Sequence, residues 1–135
     1  MTANMTMTGT PKLADAHAPV RFTCIAGAAI AIGDVCYVDA NGQAQLAVST
    51  ACTITTVSKY EGISLTVAAA GEAVTLFGIG SKIYITATTQ TIGTFWYVSA
   101  TAGKLYDGAV AAADTYLPVG KMITANVMEI VRAGV

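Results

Sequence analysis

The chain has 135 residues and a net charge of −1, from seven basic and eight acidic side chains. That length fits one domain, and the near-neutral balance, with no Lys/Arg cluster, excludes the basic footprint that nucleic-acid binding needs. Charged residues make up only 11%, against about 25% in ordinary soluble domains, so either neighbouring subunits cover much of the surface or a Thr/Ser/Gly-rich exterior stays soluble without ions.

Residues 1–19, MTANMTMTGTPKLADAHAP, are small and polar and are broken by Pro11 and Pro19. They hold neither a helical nor a strand period, and they lack the continuous apolar core of a signal peptide. The expectation is an extended N-terminal arm that orders by adding to a neighbour's sheet edge or lying on a neighbouring surface. A plain tail is the equal alternative.

From residue 20 to residue 135 the sequence reads as a single β-domain. Val, Ile, Tyr and Thr are plentiful, and β-branched and aromatic side chains suit a pleated surface. Val20–Ile25 alternates as a strand does. Asp34–Val38 is a second strand, and Asn41-Gly42 then signals a hairpin to a returning strand at Gln43–Val48. Further strands are expected at Cys52–Val57, Gly62–Val67, Ala73–Phe77, Lys82–Thr86, Thr94–Val98, Lys104–Tyr106, Tyr116–Thr124 and Asn126–Arg132. Ala68–Glu72 and Ala109–Ala113 allow at most one or two short helical turns, the first better read as a connection. Many short strands at this spacing indicate an all-β fold, a compact β-barrel or β-sandwich of short antiparallel strands.

An internal repeat runs through the domain, with units at about 30–80 and 90–132. Gly33-Asp34-Val35-Cys36-Tyr37-Val38 aligns with Gly93-Thr94-Phe95-Trp96-Tyr97-Val98, and Gly62-Ile63-Ser64-Leu65-Thr66 with Gly120-Lys121-Met122-Ile123-Thr124. The offsets are 60 and 58 residues, and a near-constant offset suggests two similar β-units in one core. Chance likeness among Val/Thr/Gly-rich strands is the alternative.

Chemistry-bearing residues are sparse. Cys24, Cys36 and Cys52 cannot all pair within the chain and match no CxxC pattern. They read as buried, reduced thiols, which implies assembly in a reducing cytoplasm. The one histidine, His17, lies in the arm, so no zinc set and no thiol–imidazole pair is expected. The acids Asp15, Asp34, Asp39, Glu61, Glu72, Asp107, Asp114 and Glu129 mostly adjoin glycines or turns, where carboxylates cap backbone groups. Asp34 and Glu72 are the candidates for a glycosidase-like pair, a reading that turn-capping outweighs. Gly78-Ile79-Gly80-Ser81-Lys82 lacks the spacing of a phosphate loop and reads as strand–turn–strand. In Phe95-Trp96-Tyr97 the alternation puts Trp96 on one face and its neighbours on the other, with Trp96 favoured for the core. The longest apolar run, Cys24–Ile32, contains Gly27 and stops at Gly33-Asp34, well short of the ~20 residues of a membrane-spanning helix. No catalytic residue, cofactor or metal is expected.

Ala29-Ile30-Ala31-Ile32-Gly33-Asp34-Val35-Cys36-Tyr37-Val38-Asp39-Ala40-Asn41-Gly42, then Glu61-Gly62-Ile63-Ser64-Leu65, then Ala69-Ala70-Gly71-Glu72-Ala73-Val74-Thr75 form a pattern of entry turn, strand, hairpin, "G-[IV]-[AS]" and "AAGE-x-V". In this the chain resembles small bacteriophage capsid decoration (cement, head-stabilising) proteins, over residues 20–80. The three cysteines and the Met-rich start are not part of that pattern. The resemblance implies a virion structural protein, a β-barrel homotrimer on the outer surface of an icosahedral capsid, whose partners are the major capsid protein and its own copies. It would stabilise the shell against internal DNA pressure after assembly in the host cytoplasm. On this reading Leu13, Arg21 and Phe22, where the arm enters the first strand, are the expected partner-binding residues. The competing reading is a carbohydrate- or surface-binding β-module of a phage fibre or adhesin, built on an exposed aromatic platform.

Overall fold

A computed structural model describes residues 12–13, 21–48, 62–85, 91–99, 101–106 and 118–131. The strand expected at Cys52–Val57, the turn at Ala109–Ala113, His17 and Cys52 lie outside the described residues. Eleven strands are present among those described: β1 (Lys12–Leu13), β2 (Arg21–Ala26), β3 (Val35–Val38), β4 (Gln43–Leu46), β5 (Gly62–Ser64), β6 (Ala73–Phe77), β7 (Lys82–Tyr84), β8 (Phe95–Val98), β9 (Leu105–Tyr106), β10 (Pro118–Met122) and β11 (Val127–Ile130). No helix occurs among the described residues, and Ala69–Glu72 is a tight turn, its Glu72 N–H donating to the Ala69 carbonyl at 3.0 Å. The protein is all-β. Of the barrel and the sandwich it has the barrel: β2-β4-β3-β5-β6 close on themselves, and a six-stranded sheet runs β1-β7-β11-β10-β8-β9.

The two assemblies are built alike. In the barrel β3 pairs with β4 and β5, β5 with β6, and β6 with β2, all antiparallel. In the sheet β8 pairs with β9 and β10, β10 with β11, and β11 with β7, again all antiparallel. Individual backbone bonds recur too. Gly33 N–H donates to the Ser64 carbonyl at 2.7 Å and Gly93 N–H to Met122 at 2.8 Å, while Ser64 and Met122 each donate back to Asp34 and Thr94 at 2.9 Å. Both turns put a positive-φ glycine third, Gly33 at 87° and Gly93 at 91°, the backbone that a type II turn demands and side chains resist.

One pairing is not shared. In the barrel a parallel β2–β4 contact, Ile25 opposite Gln43 and Ala26 opposite Ala44, completes the ring. In the sheet the corresponding edge of β7 instead takes β1, with Lys12 opposite Tyr84 and Leu13 opposite Ile83. The arm therefore does add to a sheet edge, but the edge belongs to its own chain. A strand edge has unpaired N–H and C=O groups, and β7 has no parallel partner of its own to take them.

Strand alternation divides the apolar residues into two cores. Ala26, Ile30, Cys36, Ala44, Ala68, Val74 and Leu76 fill the barrel interior. Ile83, Trp96, Val98, Met122, Met128 and Ile130 line the inner face of the sheet, and the barrel residues Val35, Ala47 and Ile63 are buried against them. On β3, Cys36 and Val38 point into the barrel while Val35 and Tyr37 face the sheet. That is why Val-Cys-Tyr-Val reads as a continuous apolar run instead of an alternating one. The Asn-Gly signal does mark a hairpin, β3–β4. Only Gly42 has positive φ, 78°, and Asp39 N–H donates to the Gln43 carbonyl at 2.8 Å. This is a three-residue loop with a left-handed glycine rather than a two-residue turn.

Gly62 and Gly120, aligned in the repeat, are tight for different reasons. A Cβ on Gly62 would lie 2.6 Å from the Phe77 carbonyl oxygen, whereas one on Gly120 would meet the Met128 thioether. Backbone in a closed ring cannot yield, but the end of a methionine can. Gly62→Ala should therefore cost about 1–3 kcal/mol or prevent folding, and Gly120→Ala clearly less. Urea denaturation of both variants checks this, and equal costs would contradict it.

Candidate functional site

The acidic residues serve the backbone. Asp34 is buried, and its Oδ2 accepts the Ala31 N–H at 2.9 Å. Its Oδ1 accepts the Lys104 ammonium at 3.2 Å, an ion pair whose lysine is about half exposed. This bond joins the barrel to the sheet, beside two backbone links: Val35 N–H to the Gly103 carbonyl at 2.9 Å and Gly103 N–H to the Ala47 carbonyl at 2.8 Å. With Lys104 in contact with water, the Coulombic part of the pair is modest. Satisfying a buried carboxylate is its larger effect. Glu72 Oε1 accepts the Ala69 N–H of its own turn at 2.7 Å. Asp39 Oδ1 accepts the N–H groups of Asn41 and Gln43 at 2.9 and 3.0 Å, and its Oδ2 accepts Gln45 Nε2 at 3.0 Å. Asp34 and Glu72, the candidate carboxylate pair, are thus each engaged by a separate turn. Gly78–Ser81 is the connection between β6 and β7, with Ser81 N–H donating to the Gly78 carbonyl at 3.1 Å.

Among the described residues, no three of His, Cys, Asp and Glu are grouped to hold a metal ion. Cys36 is buried and Cys24 half-buried, both as free thiols on the barrel interior. Burial, then the neighbouring Asp34 charge and then Cys24, push the Cys36 thiol from 9.0 up to about 12. The thiolate is the reactive form. Cys36 should therefore resist iodoacetamide at pH 8 in the folded protein and react only on unfolding, while Cys24 reacts earlier, as peptide mass mapping can read. The unfolded thiol ionises near 9.0 and the folded one near 12, so the folded state holds the extra proton between them. This contribution is fully present below pH 9 and declines as pH rises towards 12.

The aromatic cluster splits as alternation requires. Trp96 is 2% exposed, within the sheet's core, and its Nε1 has no partner among the described residues. Phe95, on the other face, is 40% exposed, and the Lys121 ammonium stands 5.5 Å from its ring centroid, within cation–π range. Cross-strand register continues this outer row from Phe95 to Lys121, Glu129 and Lys82.

The residues expected to bind partners fall in different sheets. Leu13 is in β1, opposite Ile83 at the edge of the six-stranded sheet. Arg21 and Phe22 are in β2 of the barrel, opposite Phe77 and Leu76, and Phe22 is 41% exposed. Sequence reasoning passed over Ile25, which is 43% exposed. It shares the outer face of β2 with Thr23, and β2's alternation held the signal. The chain matches no family model, no characterised protein and no solved structure.

Proposed function

We propose that this protein is a structural binding module of the capsid-decoration type, docking as a homotrimer on the outside of an icosahedral phage shell and bracing it against packaged DNA. The partners on this reading are the major capsid protein and further copies of the chain, and no reaction is assigned. The observation that carries it is the surface. Only 11% of residues are charged, yet Phe22, Ile25 and Phe95 stand out from regular strands into solvent. Rigid strands presenting apolar side chains on an ion-poor exterior suit shape-matched protein contact, in which aromatic anchors carry much of the energy. Symmetry then multiplies modest contacts over a shell. The pattern at residues 29–42, 61–65 and 69–75 supplies the resemblance to decoration proteins. The carbohydrate-binding alternative would use an exposed aromatic platform, and Trp96, its largest candidate, is in the core.

The test is co-sedimentation with empty heads assembled from the major capsid protein of the same genome. The reading expects saturable binding and heads that resist heat better when decorated. Phe22→Ser should weaken that binding by about tenfold, as loss of an aromatic anchor does, without unfolding the barrel. Heads that sediment free of the protein at every concentration would overturn it.

A further inference from the structure

The barrel and the sheet each leave one face uncovered, and the two faces are opposite in charge. The barrel's β3 and β5 carry Val35 and Ile63 against the sheet. Its β6-β2-β4 face points away, with Thr23 and Thr75 joined hydroxyl to hydroxyl at 2.9 Å and Ile25 between Ala73 and Gln43 in register. Acidic turns flank that row. Glu72 adjoins Ala73, and Asp39 accepts the N–H of Gln43 and the amide of Gln45. The uncovered face of the sheet carries Phe95 with Lys121 over its ring, then Glu129 and Lys82, a row in which cations outnumber the anion. The full sequence has the same bias. Residues 20–78 hold Arg21 and Lys59 against Asp34, Asp39, Glu61 and Glu72. Residues 79–135 hold Lys82, Lys104, Lys121 and Arg132 against Asp107, Asp114 and Glu129.

We infer that the Ile25 face of the barrel binds the Phe95–Lys121 face of a second copy of this chain, head to tail. Each face centres on a large exposed apolar side chain, Ile25 or Phe95, edged by charge of the sign that the other lacks. Such complementarity favours this pairing over the like-with-like contacts of a two-fold dimer, which would set Lys121 near Lys121 and Glu72 near Glu72. A heterologous contact of this kind propagates until rotation closes it into a ring, and a trimer is one such ring. The inference gives faces to the self-association in the reading above but does not depend on capsid docking.

Charge reversal tests it on the full chain by sedimentation velocity over a concentration series, at low and high salt. The wild-type protein should associate, less so in high salt. Gln43→Lys alone and Lys121→Glu alone should each weaken association by about tenfold or more, and the double variant should restore it. Ile25→Ser should weaken it irrespective of salt. Trp96 emission shows whether each variant keeps its core. A wild-type protein that stays monomeric, single variants that assemble as the wild type does, or a double variant no better than the singles would each overturn the inference. Co-sedimentation of the same variants with heads keeps the two readings apart: self-association that follows the charges without head binding removes only the capsid reading, and head binding by a monomer removes only this one.

Discussion

The structure depends on β3 being buried on both faces. Its four residues serve two cores in alternation, Cys36 and Val38 inside the barrel, Val35 and Tyr37 against the sheet. Closing the barrel satisfies every edge in it, and the outer wall so formed becomes the surface on which the sheet packs its own apolar face. The sheet forms no such ring. Its inner residues, Trp96, Met122, Met128 and Ile130 among them, are buried together with Val35, Ala47 and Ile63 of the barrel. The Asp34–Lys104 bond and the backbone links through Gly103 fix the two at the start of β3.

Much of this could be read from the residues. Turn glycines and β-branched runs located the strands from β2 to β11 to within a few residues, because local backbone chemistry decides where short strands stop. Alternation assigned Trp96 and Phe95 to opposite faces. Two things were not legible. Lys12-Leu13 has no period of its own, and it is a strand only because β7 has an edge to be filled. Ring closure also escaped the sequence, since the parallel β2–β4 contact joins segments with β3 between them in the chain, and a long-range pairing has no local signature. The same limit hid the surface: Ile25 sits in an apolar run that looks like core until the barrel's orientation is known.

The functional residues follow the same division. Carboxylates that a sequence scan sets aside as possible catalysts are occupied by turns, at Asp34, Asp39 and Glu72. What remains facing outward is apolar or hydroxyl-bearing, with a few charges arranged by register. A chain so built has its specificity in which faces the two units leave uncovered. That makes the packing of barrel on sheet a functional matter as well as a structural one, because it selects which strands are exposed.

The most direct measurement is hydrogen exchange of the native protein across a urea series, following peptides from β2 and β6 against peptides from β8 and β10. A sheet that shares its core with the barrel should open with it, so that both sets converge on one unfolding free energy and one urea dependence. A sheet that exchanges through its own earlier transition, while the barrel stays protected, would contradict the account.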